Sequence, residues 1–581
     1  MSRPVSVIDA IFATAAADPE RLSLVLISPA GNDEVLRSRD VLERSTAHGA
    51  ALAQLGIESG DVVLLALEQR ADLLTTFLGA MSIGAIPCIF PSPTLDFDAT
   101  AYTERLRNAT NKIEPKAVIV ESENALGASA GAYRVIEWGE IDSAVPGAAA
   151  PPSGARDDVA FLQLTSGSTG SQRAVRMKNA ALLNGQPAWK RGWQIKPSDI
   201  FVSWAAMHHA AGIGMVVGSL VGGMPTVWIP RLHWLAHPVA LMQTIDRYRG
   251  TIVIMPNFGL SACTQRIADR DMEGLDLSGW RLLLAGAEQN RAETLAAFAE
   301  RFARWGFRRE ALANVYGMTE AGSVSMTSLG REPRIDRVNR EALQGRRLAV
   351  RDEGEDAATF VSCGPTVEGV ELEIRSETGT ALPERHVGEI VVRSNTVHEP
   401  VGDGWFRSGD LGYMAEGELF VCGRLKGLII VGGANVAAED VEAIAATVEG
   451  LGVGRVVAFG APTADGQTER IVLVCELDDD ARSSERSLEL ELRRSVKRGL
   501  DVTLSEVRFV PPGWIVKTTG GKLARWENQS KWQREREQTE RDAPKNSRER
   551  DASKDTRERD ASKNTAERDT PKDTSSVREN S

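Results

Sequence analysis

The sequence predicts a mixed α/β fold, and its pattern and its size both support this class. Short apolar runs rich in β-branched residues alternate with longer segments in which apolar residues repeat at helical spacing. This alternation is typical of α/β architecture with largely parallel sheets. The 581 residues allow a large core with a smaller partner domain, and 42% apolar and 25% charged residues are ordinary for a globular protein.

The predicted strands and helices follow one another along the chain. The N-terminal apolar stretch is interrupted by Asp9, so we expect an amphipathic helix rather than a signal peptide. Segments 71–81 and 291–305 have the apolar spacing of helices. The apolar stretch 210–230 contains five glycines and is too broken to span a membrane as a helix. Buried strands are predicted at 62–67, 117–120, 252–255 and 281–285.

The pattern changes twice towards the C-terminus. Residues 366–422 carry short strands separated by turns, which predict a small antiparallel β subdomain. After Lys426 the β-α-β rhythm restarts over about 100 residues, enough for a small domain. We therefore expect a large N-terminal domain over 1–425 and a small mobile α+β domain over 426–530.

Residues 531–581 differ in composition from the rest of the chain. Four related nonapeptides follow one another from Thr539 to Thr574, and Val577 is the only large aliphatic residue after Gln533. A segment with so few apolar residues cannot offset its ordering entropy, so we expect a disordered tail. It serves either as a neutral spacer or as a docking segment for a partner protein.

Charge and cysteine content exclude several classes of protein. The net charge of −12 opposes non-specific binding to nucleic acid or to an anionic membrane surface. Five widely spaced cysteines oppose a disulfide framework or a structural zinc site and favour a reducing compartment. The sequence thus predicts a soluble cytoplasmic protein without a nucleic-acid partner or a membrane span.

The strongest chemical signal is the stretch FLQLTSGSTGSQRAV at 161–175. An apolar strand runs into a loop of glycines and hydroxyls, in which backbone N–H groups can form a nest for an anion. Arg173 follows and can add a forked contact to a phosphate. Taken alone, the stretch could also be an ordinary surface loop. The loop residues are Thr165, Ser166, Gly167, Ser168, Thr169 and Gly170.

Further polar motifs follow in a fixed order. The turn VYGMTEAG at 315–322 carries Tyr316, which could stack on a base, and Thr319, which could donate to a phosphate. Glu320 in the same turn could hold Mg²⁺ through its oxygens. Asp410 follows a turn and suits two ribose hydroxyls, and Lys522 lies in a Gly-flanked loop. Each motif alone is weak, but their joint occurrence points to a nucleotide site.

These motifs resemble those of the adenylate-forming superfamily, which includes acyl-CoA synthetases, luciferases and the adenylation domains of peptide synthetases. The resemblance covers roughly residues 5–526 and rests on TSGSTG, YGMTE, SGD, GRLK and GGK. Within the superfamily, MPNFGLSACTQRI at 255–267, FVSCGP at 360–365 and the charged segment 331–359 are most similar to fatty acyl-AMP ligases.

The resemblance implies a role for each matching residue. It implies that the 165–170 loop and Arg173 bind the phosphates of ATP. Thr319 and Glu320 would contact the α-phosphate and Mg²⁺. The small domain would insert Lys522 into the active site during adenylation. Lys426 matches the hinge of the small domain, and His209 matches a residue that borders the acyl pocket. The remaining nucleotide contacts implied are Gly286, Ala287, Glu288, Tyr316, Gly317, Met318, Asp410 and Arg424.

The activity implied is ATP-dependent conversion of a carboxylic acid, most similarly a fatty acid, to acyl-AMP with release of pyrophosphate. The acyl group would then pass to the phosphopantetheine thiol of a separate acyl carrier protein, as in lipid, polyketide or lipopeptide biosynthesis. ATP and Mg²⁺ are the implied cofactors. Two alternatives are an acyl-CoA ligase and a non-catalytic adenylate-binding scaffold. A third is an amino-acid adenylation enzyme, although residues 207–210 offer no carboxylate to bind the α-ammonium group of an amino acid.

Several positions depart from the family pattern. Arg173 stands where lysine is usual, Ala210 replaces a common aspartate, and Gly427 replaces the acid after the hinge. Gly432 and Ala434 replace basic residues, and the stretch between Arg393 and Trp405 is shortened. Two other features have plain interpretations: His208–His209 lacks an evident third metal ligand, and Cys263 is expected to pack as a small hydrophobe.

Overall fold

The computed structural model describes most of the chain, with gaps in several loops and at both ends. The described residues are 6–68, 70–92, 99–122, 133–142, 158–165, 173–354, 357–400, 402–431, 434–463, 469–478, 485–500, 502–517 and 521–542. They form the α/β fold that the sequence predicts, with two large sheets and a small antiparallel sheet. The chain divides into two compact units, 1–525 and 526–581.

The first large sheet has, within the described residues, six strands in the order β6-β5-β3-β4-β7-β8. All neighbours pair in parallel except β7 and β8, which form an antiparallel edge. Its strands are β3 (Val62–Ala66), β4 (Ile86–Ile89), β5 (Ala117–Val120), β6 (Arg134–Glu137), β7 (Val159–Thr165) and β8 (Arg173–Lys178). The helices in this part of the chain are α1 (Val7–Ala17), α2 (Ser38–Gln54), α3 (Ala71–Ser82), α4 (Ala99–Ile113), α5 (Trp138–Asp142) and α6 (Asn179–Gly192).

The second large sheet has eight described strands in the order β14-β13-β12-β11-β9-β10-β1-β2. Its interior pairs are parallel, and β2 and β14 form antiparallel edges. The strands are β1 (Leu22–Leu26), β2 (Glu34–Arg37), β9 (Phe201–Ser203), β10 (Thr226–Trp228), β11 (Ile252–Met255), β12 (Leu282–Gly286), β13 (Leu312–Met318) and β14 (Gly322–Met326). The helices are α7 (Ala210–Gly222), α8 (Arg231–Ala236), α9 (Val239–Tyr248), α10 (Asn257–Arg266) and α11 (Ala292–Phe302).

The apolar runs become interior strands because parallel strands are covered on both faces. Residues of β3, β11 and β12 are almost fully buried, and the strands predicted from these runs and from 117–120 are confirmed. The helix predicted at 71–81 is α3, and the pattern at 291–305 is α11 with a short 3-10 turn at Ala303–Trp305. The N-terminal helix begins at a capping box between Ser6 and Asp9, which satisfies two backbone N–H groups.

The predicted antiparallel subdomain is a four-stranded sheet in the order β17-β18-β19-β20. A two-stranded ladder, β15-β16, and a short helix, α12, precede it, and they occupy the charged segment 331–359. The elements are β15 (Ile335–Val338), α12 (Arg340–Arg346), β16 (Ala358–Val361), β17 (Val370–Arg375), β18 (Gly388–Ser394), β19 (Phe406–Ala415) and β20 (Glu418–Arg424).

After β20 the chain forms a hairpin, a three-stranded sheet and two helices around a core of their own. Lys426 lies in the short 3-10 turn Leu425–Gly427 that joins β20 to this region. The elements are β21 (Leu428–Val431), β22 (Ala434–Ala437), α13 (Ala438–Ala445), β23 (Val456–Pro462), β24 (Glu469–Glu476), α14 (Glu485–Leu500) and β25 (Leu504–Val510). The predicted boundary at 425/426 between a large and a small domain stays a prediction.

The last described element is α15 (Arg525–Asp542). The predicted disordered tail 531–581 therefore needs correction over 531–542, which are helical. Arg536 lies over the ring of Trp532 at 5.6 Å, an i,i+4 contact that favours the helix. The nonapeptide repeats lie almost wholly outside the described residues.

Candidate active site

The predicted phosphate loop begins and ends on two paired strands. Thr165 ends β7, Arg173 begins β8, and the two residues are partners in the antiparallel ladder. The Oγ1 of Thr165 lies 3.5 Å from the carbonyl oxygen of Arg173. The structure therefore brings the two ends of the loop together. The loop residues Ser166, Gly167, Ser168, Thr169 and Gly170 lie outside the described residues.

The carboxyl end of β12 carries the predicted adenine contacts Gly286, Ala287 and Glu288. A Cβ on Gly286 would lie 2.7 Å from the carbonyl oxygen of Val315, so the close approach of β13 requires glycine. Ala287 has a φ of +68°, a left-handed conformation that side chains other than glycine rarely adopt. Such local strain is typical of functional sites.

Glu288 links this turn to α10. Its Oε1 accepts a hydrogen bond of 2.6 Å from the backbone N–H of Phe258. Burial raises the pKa of Glu288, while that hydrogen bond and the charges of Lys522 and Arg291 oppose the shift. The carboxylate thus positions the N-terminus of α10 beside the turn.

The end of β13 and the turn that follows it contain the predicted residues Tyr316, Gly317, Met318, Thr319 and Glu320. A bulge shifts the β13-β14 register at Tyr316/Gly317, and a Cβ on Gly317 would collide with the carbonyl oxygen of Gly322. Thr319 and Glu320 are half-buried on the turn that follows the strand. Their side chains are therefore accessible at the strand end.

Asp410, Arg424 and Tyr316 form one hydrogen-bonded corner. Asp410 and Arg424 are paired in the β19-β20 ladder, and Arg424 Nε lies 3.0 Å from Asp410 Oδ1. The hydroxyl of Tyr316 donates to Asp410 Oδ2 at 2.8 Å. Burial and the charge of Asp410 raise the pKa of Tyr316, so the phenol stays protonated as a donor. The structure thus brings together three residues that lie far apart in sequence.

Lys522 reaches the same site from the C-terminal part of the unit. Its Nζ donates to the carbonyl oxygen of Ala287. Desolvation lowers the pKa of Lys522, Arg424 lowers it further, and Glu288 and Asp410 raise it. The loop is held by a bridge between Lys517 and Leu523.

Arg525 fixes the other end of this loop. It forms ion pairs of 2.7 Å with Glu439 and 2.6 Å with Glu442, both on α13. The partly buried pairs tie the segment that carries Lys522 to that helix.

Sequence reasoning missed a strap of chain, residues 394–399, that holds the β13 turn against β8. The backbone N–H of His398 donates to the carbonyl oxygen of Glu320 at 2.9 Å. Its Nδ1 accepts from the backbone N–H of Lys178 at 2.9 Å. Thr396 Oγ1 donates to the carbonyl oxygen of Ala321 at 2.9 Å. The strap therefore joins the turn of Glu320 to the strand that leaves the phosphate loop.

His398 is 2% exposed, and burial, with a contribution from Lys178, lowers its pKa to about 4. The neutral imidazole is the form that can accept the Lys178 bond. The strap coincides with the stretch shortened relative to the family pattern, and this departure was the only sequence signal for it.

The predicted acyl-pocket residue His209 is the N-cap of α7. Its backbone N–H donates to the carbonyl oxygen of Ala206 at 3.0 Å. Gln163 on β7 donates to the carbonyl oxygen of His208 at 2.7 Å, which connects this segment to the strand before the phosphate loop. The described residues contain no group of three or more histidine, cysteine or acidic side chains placed to hold a metal.

An aromatic cluster lies close to this segment. The rings of Trp204 and Trp234 stack at 3.7 Å, and Phe258 packs edge-on against both. Trp204 and Trp234 are buried, as are Trp193 and Trp228, so these four tryptophans pack in the core. Cys263 is fully buried, and burial raises its pKa, which fits a packed side chain rather than a nucleophile.

The site thus has two sides, which we name by their residues. The nucleotide side comprises the strand-end groups of β12, β13, β19 and β20: Gly286, Ala287, Glu288, Tyr316, Gly317, Met318, Thr319, Glu320, Asp410 and Arg424. The acid side comprises Trp204, His209, Trp234 and Phe258. Lys522 contacts the nucleotide side through Ala287. The nucleotide side thus gathers a carboxylate, two cations and a phenol donor at neighbouring strand ends, a set of groups that suits a nucleotide.

Comparison with known proteins agrees with this geometry. The family model of AMP-binding enzymes matches residues 11–399. A solved chain from a study of fatty acyl-adenylate ligases from E. coli and L. pneumophila superimposes with a TM-score of 0.84 at 26% identity, covering 92% of this chain and 98% of that chain.

Three curated relatives span most of their own length. A Caulobacter vibrioides protein named as a candidate acyl-CoA synthetase is 31% identical, covering 82% of this chain and 86% of that protein. A 4-hydroxyphenylalkanoate adenylyltransferase of Mycobacterium marinum is 30% identical, covering 86% of each. A medium-chain-fatty-acid–acyl-carrier-protein ligase of Moorena producens is 29% identical, covering 85% of this chain and 90% of that protein.

In the described ranges, no helix is both long and apolar enough to cross a membrane. The motifs, the strand-end geometry and the similarities all lead to one assignment. The chain belongs to the AMP-binding enzymes, and within them it is an acyl-adenylate-forming ligase that resembles the fatty acyl-AMP ligases.

Proposed function

We propose that this chain activates a carboxylic acid, of the fatty class, with ATP and transfers the acyl group to the phosphopantetheine thiol of a separate acyl carrier protein. The observation that carries the proposal is the contact of Lys522 with Ala287, next to the Tyr316–Asp410–Arg424 corner. It supports one site in which a lysine, a ribose-binding carboxylate and an acid pocket converge.

In the first step, a carboxylate oxygen of the acid attacks the α-phosphorus of ATP. The new bond forms as the bond to the β-phosphate oxygen breaks, and pyrophosphate leaves. Charge develops on the α-phosphate oxygens, and the ammonium of Lys522 and the hydroxyl of Thr319 can stabilise it. Asp410 would hold the ribose, and Tyr316 would border the adenine.

The residues present fit a nucleotide-bound Mg²⁺. This ion is usually held by one or two carboxylates together with substrate phosphates and water. Glu320, half-buried on the turn after β13, supplies such a carboxylate. Mg²⁺ would neutralise phosphate charge when bound.

In the second step, the thiol of the acceptor attacks the acyl carbonyl, loses its proton, and AMP leaves. Two relatives support different acceptors: one is named a carrier-protein ligase and one a candidate CoA synthetase. We favour the carrier because the subfamily similarity is to fatty acyl-AMP ligases. Residues 426–530 would form the small domain that presents Lys522, with Lys426 at its hinge.

The test measures both steps with the full chain. Acid-dependent exchange of pyrophosphate into ATP is expected with one or more acids from a panel, and its complete absence would favour the scaffold alternative. With the best acid, the kcat/KM for a phosphopantetheinylated carrier protein should be at least about tenfold higher than the kcat/KM for free CoA. This ratio is equivalent to roughly 1.4 kcal/mol. Equal values would favour the acyl-CoA ligase.

A further inference from the structure

Arg231 is a half-buried cation without a counter-charge. It begins α8, and within the described part of the chain no carboxylate and no hydrogen-bond acceptor contacts its guanidinium. Other buried ion pairs in the molecule are complete: Asp199 with Arg281, and Glu442 with Arg525. Arg231 therefore differs from the arginines that stabilise the fold.

The guanidinium lies where the acid side meets the loop that carries Lys522. A Cβ on Gly521 would lie 3.0 Å from Arg231 Nη2 and 3.9 Å from Phe258 Cζ. Arg231 and Trp234 are three residues apart on α8, so their side chains lie on the same face of the helix. Gly521, the residue before Lys522, therefore lies next to both the cation and the aromatic cluster.

An uncompensated cation at such a position is costly. Burial lowers the pKa of Arg231, yet a guanidinium keeps its charge in proteins and presents five N–H donors in a planar fork. A half-buried charge that has lost part of its water is stabilised by a partner of opposite charge. A bound anion would relieve this cost, and a carboxylate matches the fork with two parallel hydrogen bonds.

Two indole N–H donors near Arg231 also favour a bound anion, but they are weaker support. The indole Nε1 atoms of Trp204 and Trp234 are buried and have no acceptor among the described residues. The same holds for Trp193 and Trp228 elsewhere, so the inference rests on Arg231.

The nucleotide is the other possible source of an anion, and the geometry argues against it. The predicted nucleotide contacts lie at the ends of β12, β13 and the β19-β20 ladder. Arg231 instead lies beside Gly521, and the other neighbour of Gly521 is Phe258, which packs on Trp204 and Trp234. The anion is therefore expected on the acid.

We propose that Arg231 binds a second carboxylate on the acid substrate, so that the ligase prefers a dicarboxylic acid to an unsubstituted fatty acid. This inference rests on the proposed function and narrows its substrate class. Arg231 would be a specificity-determining residue, and the reaction would still occur at the other carboxylate.

The experiment compares acid-dependent pyrophosphate exchange for dicarboxylic acids of 4 to 12 carbons and for monocarboxylic acids of matched length. Wild type, Arg231→Leu, Arg231→Lys and the matched control Arg270→Leu are measured as full chains. Arg270 has an 86% exposed side chain, and Asp271 is its one ion-pair partner among the described residues. Melting temperatures show whether each variant is folded.

We expect the wild type to prefer the best dicarboxylic acid at least tenfold in kcat/KM. Arg231→Leu should reduce that preference at least tenfold, Arg231→Lys should retain part of it, and Arg270→Leu should keep it.

Three results would overturn the inference. The first is a wild-type preference for monocarboxylic acids that Arg231→Leu leaves unchanged. The second is a kcat/KM that Arg231→Leu lowers equally for both series of acids. The third is a KM for ATP that Arg231→Leu raises regardless of the acid. Exchange with no acid at all would instead refute the proposed function. If Arg231→Leu does not fold, the Arg231→Lys preference decides the question.

Discussion

On the nucleotide side of the site, Tyr316, Asp410 and Arg424 are bonded to one another, and His398 fixes the neighbouring turn. On the acid side, two indole N–H groups have no acceptor within the described residues, and no charged partner acts on Arg231 there. The groups on the nucleotide side hold one another in place, and preorganised groups favour a single ligand geometry. Under the proposed function, nucleotide binding is thus built into the fold, while the acid supplies the partner of Arg231.

Loss of Lys522 should have the largest effect, because this residue is the cation that bridges the two sides. Lys522→Ala should lower acid-dependent pyrophosphate exchange by about 10²–10³, roughly 3–4 kcal/mol. Affinity for ATP and thioester transfer from supplied acyl-AMP should largely remain. The exposed Lys112→Ala serves as the control. Equal loss in both half-reactions would contradict the role assigned to Lys522.

Asp410→Asn tests whether the nucleotide side is as preorganised as its hydrogen bonds indicate. Removing the charge weakens the Arg424 pair and two expected ribose contacts, and hydrogen bonds to charged groups contribute about 1.5–3 kcal/mol. We expect kcat/KM for ATP to fall about 10- to 100-fold, with the ranking of acids unchanged. Asp271→Asn is the matched control. If Asp410→Asn changes the ranking of acids, the nucleotide side also influences acid selection, and the two sides do not act separately.

Two buried histidines should make stability depend on pH. Burial lowers the pKa of His398 and of His48 to about 4, below the 6.5 expected in the unfolded chain. The unfolded state therefore binds protons first as the pH falls, so stability is complete above 6.5 and is lost towards 4. At pH 5 the loss is about 2 kcal/mol for each histidine, measured by urea unfolding against pH 7.5.

His48→Gln and His398→Gln should each remove the part of the pH-dependent stability loss that its histidine causes. His386→Gln, at a half-buried histidine, serves as the matched control. A pH dependence that is identical in all three variants would show that neither buried histidine causes it.

His398 also permits a smaller test of activity. His398→Ala should lower the exchange rate about tenfold and raise the Mg²⁺ concentration needed for half-maximal rate, because the turn of Glu320 loses its anchor to β8. His398→Gln retains a side-chain acceptor and should recover part of the loss. If His398→Ala lowers stability but leaves the Mg²⁺ concentration for half-maximal rate unchanged, the strap has only a structural role.

Deletion of 543–581 should have the smallest effect. The segment has a single large aliphatic residue to bury, so the free energy of unfolding should change by less than about 0.5 kcal/mol. The exchange rate should also be unchanged. A fall of several degrees in the melting temperature would contradict this expectation, and a selective loss of carrier loading would support a docking role for the tail.

The nucleotide side could be predicted from the sequence because its glycine and carboxylate motifs are local. Gly317 lies near the end of β13, and Asp410 of β19 pairs with Arg424, the last residue of β20. The strap around His398 could not be predicted, because its partners Lys178 and Glu320 are distant in sequence. Arg231 was missed for the same reason: its unpaired state depends on which segments fold around it.

Composition also misled the prediction at the C-terminus. The polar residues 531–542 lack a large apolar face, yet they continue α15. Contacts between residues four apart, such as Trp532 with Arg536, can favour a helix that average hydrophobicity does not reveal.

The anchoring of Lys522 has a consequence for the direction of the reaction. The lysine lies inside the loop that the Lys517–Leu523 bridge closes, and Arg525, three residues further on, is ion-paired to α13. In the proposed role, the lysine that assists the attack on ATP also assists the reverse attack of pyrophosphate on the acyl adenylate, by microscopic reversibility. Withdrawal of this rigid assembly would therefore switch off the back-reaction in one step and commit the activated acid to its acceptor.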